Sequence, residues 1–167
     1  MDYVRRFSVR VSAALVAGMA AVLAMSGCVS SHTLRDFTTD GCSFFPEGDA
    51  QAPGLWSNCC VSHDVAYWQG GTADERRSAD SQLRDCVLAR TGRPDLANRM
   101  YRGVRLSGAP LLPTTFRWGY GWGYGRGYEA LTPEERRQAE EQLAAHRRTH
   151  PDDALTTSTA TPAQTTP

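Results

Sequence analysis

The chain has 167 residues, of which 41% are hydrophobic and 22% are charged. This length accommodates one ordinary domain with tails, and this polarity excludes a membrane protein with many spans. All 18 basic residues are arginines and they balance 18 acidic residues, so a net charge of zero without a basic run argues against nucleic acid as the main partner.

The N-terminal region has the features of an export signal. Three arginines precede an apolar stretch over residues 11–25, which is too short to span a membrane comfortably as a helix. The stretch ends in small residues directly before Cys28, as in a bacterial lipobox, although Met25 stands where that motif usually has leucine. We therefore expect a signal peptide over 1–27 and a lipidated Cys28 at the start of an exported, membrane-anchored lipoprotein of the bacterial envelope. Val29 after the cysteine favours the outer membrane, by resemblance to enterobacterial sorting; the alternative is an ordinary cleaved signal with Cys28 in a disulfide.

The next two segments are predicted to lack regular structure. Residues 28–39 are rich in serine and threonine and are interpreted as a tether. Residues 40–54 contain several glycines and prolines, which indicate an irregular loop.

Three helices are predicted from residue 55 onward. The first covers 55–69, contains no glycine or proline, and stops at two glycines. The second begins at a capping box and runs to about Thr91, where the following glycine can serve as a left-handed cap. The third begins at Pro94, a favourable first helical position, and ends near Leu106. The short break between the first two helices favours an antiparallel pair, so we expect an all-α fold with loop-rich connections.

Residues 118–128 alternate glycine with aromatic residues. In an extended conformation, Trp118, Tyr120, Trp122 and Tyr124 would line one face. Such a stripe suits a lipid interface, where tryptophan and tyrosine are favoured. The alternative is a glycine-rich cover over the helices, with its rings packed inward.

The C-terminal part is predicted to contain one more helix and a tail. Residues 129–150 form a charged segment whose helix opens at a capping box with proline in the first position. Residues 151–167 are rich in threonine, alanine and proline and carry too little apolar surface to order themselves.

The candidate catalytic and metal-binding residues lie on the first predicted helix, in the run C-C-V-S-H-D-V-A-Y. Cys59, His63 and Tyr67 are four residues apart and share one face, while Cys60 and Asp64 share the adjacent face. An imidazole and a phenol beside a carboxylate suit a general base that works next to a bound cation.

The second predicted helix can bring a carboxylate to this histidine. Cys59 lies about 6 Å along its helix from His63, and Cys86 lies about 9 Å from Asp80, at 1.5 Å per residue. In an antiparallel pair both offsets point the same way. The carboxylate of Asp80 can then reach the ring of His63, and a Cys59–Cys86 bridge is allowed.

The cysteines allow more than one pairing. Lipidation of Cys28 would leave four, and the adjacent Cys59 and Cys60 are poor partners for each other. Two arrangements remain, namely Cys59–Cys86 with Cys42–Cys60, or the swapped pair.

The motif C-C-x-x-H-D-x-x-Y, followed by an aspartate six residues before a cysteine, resembles the active-site helices of secreted phospholipase A2. The run D-G-C-S with a following proline is similar to the short prokaryotic members. The resemblance covers about residues 40–90, within an expected domain over 40–128. It implies an enzyme that hydrolyses the sn-2 ester of glycerophospholipids with calcium as cofactor, and a phospholipid membrane as substrate and anchor.

The resemblance also implies roles for individual residues. His63 would activate a water, Asp80 would orient His63, and Tyr67 would bond to Asp80. The implied calcium ligands are the carboxylates of Asp40 and Asp64 and the carbonyl of Gly41. The implied disulfides are Cys42–Cys60 and Cys59–Cys86.

One departure from the family supports a second hypothesis. The loop 42–56 lacks the Gly-x-Gly-Gly calcium loop of the animal enzymes, and Phe44, Phe45 and Glu47 have no counterpart role. The alternative function is a non-catalytic, phospholipase A2-like envelope lipoprotein with a calcium-binding or structural role.

Overall fold

The computed structural model describes residues 33–151, and these residues form four α-helices and no β-strand. The all-helical class is therefore confirmed for this part of the chain. The predicted signal peptide, the lipidation of Cys28 and nearly all of the predicted tail lie outside the described residues. Among the helices described, none is long and apolar enough to cross a membrane. The helices are α1 (Ser57–Gln69), α2 (Ala73–Thr91), α3 (Pro94–Ser107) and α4 (Pro133–Thr149).

Local sequence signals set the helix ends. The Thr72 hydroxyl accepts a hydrogen bond from the Glu75 amide at 3.2 Å, and the Glu75 carboxylate accepts one from the Thr72 amide at 2.7 Å, which forms the predicted capping box of α2. Gly92 ends this helix in the left-handed conformation, as expected. The predicted capping box of α4 joins Thr132 and Glu135.

Two disulfides fix α1 against its surroundings. Cys42–Cys60 joins the preceding loop to α1, and Cys59–Cys86 joins α1 to α2. The pairing implied by the family resemblance is confirmed. The closed loops span 18 and 27 residues, and each bridge contributes about 3 kcal/mol of stability in the chain-entropy account.

The core consists of two main clusters on either side of α1. The cluster near α4 includes Leu34 and Phe37, which are 3% and 4% exposed. Residues 33–39 are therefore part of the folded domain, and the expectation of a free tether is wrong for them because two large apolar side chains anchor the segment. The other members of this cluster are Val61, Trp68, Trp122, Leu131, Ala139 and Leu143. The second cluster contains Cys42, Trp56, Cys59, Cys60, Leu83, Val87, Leu96, Ala97 and Met100.

The aromatic-glycine segment, residues 118–128, consists of turns and is not extended. Trp118 and Trp122 are 2% and 0% exposed. Their indole N–H groups donate to the carbonyls of Gly71 and Gln69, each at 2.7 Å, at the C-terminal end of α1. The expectation of one aromatic stripe is wrong, and the interpretation as a glycine-rich cover holds for the two tryptophans.

Glycines allow this cover to approach α1 closely. A Cβ on Gly70 would lie 2.8 Å from the Cα of Gly119, and a Cβ on Gly121 would lie 2.6–2.7 Å from the side chains of Trp68 and Leu34. A residue larger than glycine at either position would therefore collide with its neighbours. This close approach brings both indole rings within reach of the carbonyls that end α1.

Candidate active site

A histidine, a tyrosine and an aspartate meet between α1 and α2. His63 and Tyr67 lie one turn apart on α1, and their ring centroids are 4.2 Å apart. Asp80 of α2 has no exposed surface, and its Oδ1 lies 2.9 Å from His63 Nε2 and 2.8 Å from the Tyr67 hydroxyl. An ionised carboxylate only accepts hydrogen bonds, so Nε2 carries the proton and Nδ1 is the nitrogen left to act as a base.

Two arginines lie beside Asp80, and one of them donates a hydrogen bond to it. Its Oδ2 accepts a hydrogen bond from Arg105 Nη1 at 2.6 Å and lies 3.8 Å from Arg76 Nε. Burial alone would raise the pKa of Asp80, but the hydrogen bonds from His63, Arg105 and Tyr67 hold that pKa below its usual range. Asp80 is therefore ionised at neutral pH.

Arg76 is a buried arginine that stabilises this network through hydrogen bonds. It is only 2% exposed, and its Nε donates to the Tyr67 hydroxyl at 3.0 Å while Nη1 donates to the Tyr128 hydroxyl at 2.6 Å. Its Nη2 donates to the carbonyls of Val104 and Arg105 at 2.9 Å, which satisfies acceptors at the end of α3.

Neither arginine belongs to the predicted motif. Arg76 carries a signal, since it precedes Asp80 by four residues and so shares its helix face. Arg105 carries no local signal, because it contacts Asp80 across 25 residues of chain.

Tyr67 is held neutral by its surroundings. Burial raises the pKa of its hydroxyl, and the nearby charge of Asp80 raises it further. The hydroxyl donates to Asp80 and accepts from Arg76, so both of its roles are used. Tyr67 therefore serves as a fixed donor to the carboxylate.

Asp64, the neighbour of His63, lies in a very different environment. It is 9% exposed, and its Oδ2 accepts a hydrogen bond from the Thr39 hydroxyl at 2.6 Å. Burial raises the pKa of Asp64 to about 7, with contributions from the charges of Asp40 and Glu47. The Tyr120 hydroxyl donates to the Thr38 carbonyl at 2.6 Å and lies 3.3 Å from the Asp64 carbonyl, which ties the aromatic-glycine segment to this region.

The remaining implied calcium ligands lie on the loop beside Asp64. Asp40 Oδ1 accepts from the Ser43 hydroxyl at 2.7 Å, and Gly41 adopts φ +69°. A Cβ on Gly41 would fall 1.9 Å from Glu47 Oε1, so this carboxylate lies against the Gly41 backbone.

The donor chemistry fits a hard cation. Asp40 and Glu47 lie close enough to Asp64 for their charges to raise its pKa, and no ion pair in the described part of the chain involves any of these three carboxylates. Within residues 33–151, however, no three His, Cys, Asp or Glu side chains are already grouped as a metal centre. Backbone carbonyls and waters would have to complete the coordination.

A cavity of about 270 Å³ opens above these groups. Its polar lining includes His63, Asp64 and Tyr67 together with two serines, and most of its other lining is apolar. At its edge, Phe44 is 93% exposed and meets Phe116 edge to face, with ring centroids 5.7 Å apart. The apolar walls include Phe45, Leu83, Met100 and Val104.

The chain matches no protein-family model, no curated protein and no solved structure.

Proposed function

We propose that the chain is a phospholipase A2-like carboxylic ester hydrolase that cleaves the sn-2 ester of glycerophospholipids with calcium as cofactor. One observation carries the proposal: a buried His63–Asp80–Tyr67 network adjoins an apolar cavity, with the carboxylate of Asp64 directly beside the histidine. A structural histidine on a helix does not require an ionised aspartate behind it and an apolar cavity in front of it.

In the proposed reaction, His63 acts as a general base. Nε2 is occupied by Asp80, so Nδ1 accepts a proton from a water in the cavity as that water attacks the ester carbonyl. Asp80 stabilises the imidazolium that forms and fixes the orientation of the ring. The same imidazolium then returns the proton to the departing alkoxide, and no covalent acyl-enzyme is needed.

Calcium would be held by the carboxylates of Asp40 and Asp64 and the carbonyl of Gly41. When bound, it supplies a Lewis acid for the ester carbonyl and the charge that develops on its oxygen. Asp64 would connect the general base with the calcium site, because it is next to His63 in the chain and lies near the loop that carries Asp40.

The finer helix arrangement belongs to the same proposal. We infer that α1 and α2 form the antiparallel, disulfide-linked pair that carries the active site. The bridge between Cys59 and Cys86 and the hydrogen bond between His63 and Asp80 support it. Cys59 precedes His63 along α1, whereas its partner Cys86 follows Asp80 along α2, as expected for helices that run in opposite directions.

A phospholipid membrane is the proposed substrate surface, and the cavity edge supports this. Phe44 is a non-glycine residue at φ +58°, a conformation that costs energy, and it exposes its ring to solvent. Leu106 and Leu111 are 81% and 62% exposed. Large apolar groups of this kind suit contact with lipid.

The test is release of fatty acid from vesicles of phosphatidylcholine and phosphatidylglycerol labelled in the sn-2 chain. The wild-type chain should release label in millimolar calcium and not in excess chelator. His63→Ala should abolish release, while His150→Ala provides a histidine control from the exposed end of α4. Equal release by wild type and His63→Ala would overturn the proposal.

The non-catalytic alternative draws on one observation, the absence of a preformed group of three metal-binding side chains among residues 33–151. It predicts that no ester is cleaved, with a calcium-dependent rise in melting temperature if the role is calcium binding and none if the role is structural. Measuring both quantities on the same preparation separates the two functions.

A further inference from the structure

The second oxygen of Asp80 has a partner of its own. Oδ1 accepts from His63 and Tyr67, whereas Oδ2 accepts from Arg105 Nη1 at 2.6 Å. Arg105 lies in the last turn of α3, and its side chain is 31% exposed while that of Asp80 is fully buried. The carboxylate on α2 is thus held at both oxygens, by donors from α1 and α3.

This arrangement fixes the plane of the carboxylate. A carboxylate bonded at one oxygen can rotate about its terminal bond, and the direction of its hydrogen bond to His63 would change with it. Charge-assisted hydrogen bonds are shorter and about twice as strong as neutral ones. Arg76 does not replace this bond, because its Nε donates to the Tyr67 hydroxyl and lies 3.8 Å from Oδ2.

The backbone of Arg105 is also fixed. Arg76 Nη2 donates to the carbonyls of Val104 and Arg105, so the end of α3 is tied to the same helix that carries Asp80. Arg105 does not line the cavity that contains His63. Any influence on the reacting atoms must therefore pass through Asp80.

We propose that Arg105 is a positioning residue for the His63–Asp80 pair. It holds Asp80 oriented so that the Nε2–H group of His63 stays hydrogen-bonded to the carboxylate and Nδ1 faces the cavity. The inference rests on the proposed function for its kinetic consequence, but the geometry it asserts can be measured without turnover. The competing view makes Arg105 only a clamp between α2 and α3.

The experiment compares Arg105→Gln, Arg105→Lys and wild type in the full mature chain. Arg102→Gln is the control, since Arg102 is an exposed arginine on the same helix. In Arg105→Gln we expect kcat on labelled vesicles to fall by about 10- to 100-fold, the range found for outer partners of functional histidines. KM should stay within about twofold, because Arg105 does not contact the cavity. Arg105→Lys should recover most of kcat, since it restores a charged donor.

A second readout is independent of activity. The Nε2 proton of His63 is followed by ¹⁵N-edited proton NMR, with its exchange rate measured against water. It should exchange slowly in wild type, Arg105→Lys and Arg102→Gln, and at least about tenfold faster in Arg105→Gln, because a carboxylate held only at Oδ1 keeps that hydrogen bond less well aligned.

The outcomes are distinct. Wild-type kcat and slow exchange in Arg105→Gln would overturn the inference. A lower melting temperature in that variant, beside the unchanged kcat and exchange, would show a clamp alone. If the wild-type chain releases no fatty acid, the proposed function fails, and the exchange comparison still decides the role of Arg105.

Discussion

Replacing Asp64 with asparagine tests the cation site through the pH dependence of folding. In the metal-free protein, burial and the charges of Asp40 and Glu47 raise the pKa of Asp64 from 3.8 to about 7. Between about pH 4 and pH 7 the folded state keeps a proton that the unfolded state has lost. The free energy of unfolding must therefore fall as pH rises through this window, and the loss is complete above about pH 7.

The pKa difference sets the size of the effect. At 1.36 kcal/mol per pKa unit, it corresponds to a loss of at most about 4 kcal/mol at pH 8. Asparagine has the same shape without the charge, and its amide oxygen can still accept from the Thr39 hydroxyl. In chelator at pH 8, Asp64→Asn should thus be more stable than wild type by about 1–3 kcal/mol, since relaxation and water entry reduce the full penalty.

The assay is urea unfolding of the mature, oxidised chain in excess chelator from pH 4 to pH 8. Asp36→Asn serves as a control at an exposed carboxylate. Other acids act in the opposite direction: the ion pair with Arg126 lowers the pKa of Glu135 to about 2, and its contribution is lost only as pH falls toward that value. Subtracting the variant from wild type therefore isolates Asp64.

Calcium should reverse the ranking. At pH 8 it should raise the stability of wild type by mass action and leave Asp64→Asn nearly unchanged. The reasoning is refuted if the difference between the two proteins does not change from pH 4 to pH 8, or if calcium stabilises both equally.

Further substitutions test the other parts of the site and its cover. His63→Ala should lower vesicle hydrolysis by about 10²–10⁴-fold, measured as initial rate, because a positioned general base is lost. Tyr67→Phe removes one of the donors to Asp80 and should lower stability by about 1–2 kcal/mol in urea unfolding. Trp118→Ala and Trp122→Ala should each cost about 3–5 kcal/mol, seen as a large drop in melting temperature, since both rings are buried. Phe44→Ser should weaken sedimentation with vesicles at an unchanged melting temperature, and unaltered sedimentation would contradict a role in lipid contact.

The helices could be predicted because their signals are local. Both capping boxes and the left-handed Gly92 involve residues within one turn of each other, so the sequence shows them directly. The start of α1 was less well defined, since Trp56 at its N-cap makes no side-chain cap; the helix begins at Ser57, two residues later than predicted.

The cover over the helices could not be predicted with the same certainty, because its conformation depends on distant contacts. Alternating glycine and aromatic residues satisfy the period of a strand, yet the indoles of Trp118 and Trp122 find acceptors at the end of α1 and the segment turns to reach them. The packing of residues 33–39 against the core could not be predicted for a related reason. Leu34 and Phe37 are two isolated apolar residues in a polar stretch, and only the tertiary structure shows the core that receives them.

The two buried aspartates of the site differ in pKa because their surroundings differ. Asp80 and Asp64 are both buried on neighbouring helices, and their pKa values move in opposite directions. Three donors, among them the Arg105 guanidinium, keep Asp80 ionised as the partner of an imidazole. Asp64 instead faces other carboxylates, an arrangement that is costly until a cation is bound. Opposed shifts in adjacent acids are typical of sites in which the two groups have different roles. Sequence spacing could place both carboxylates beside His63, but only the surrounding charges support the proposal that one acts with His63 and the other binds a metal ion.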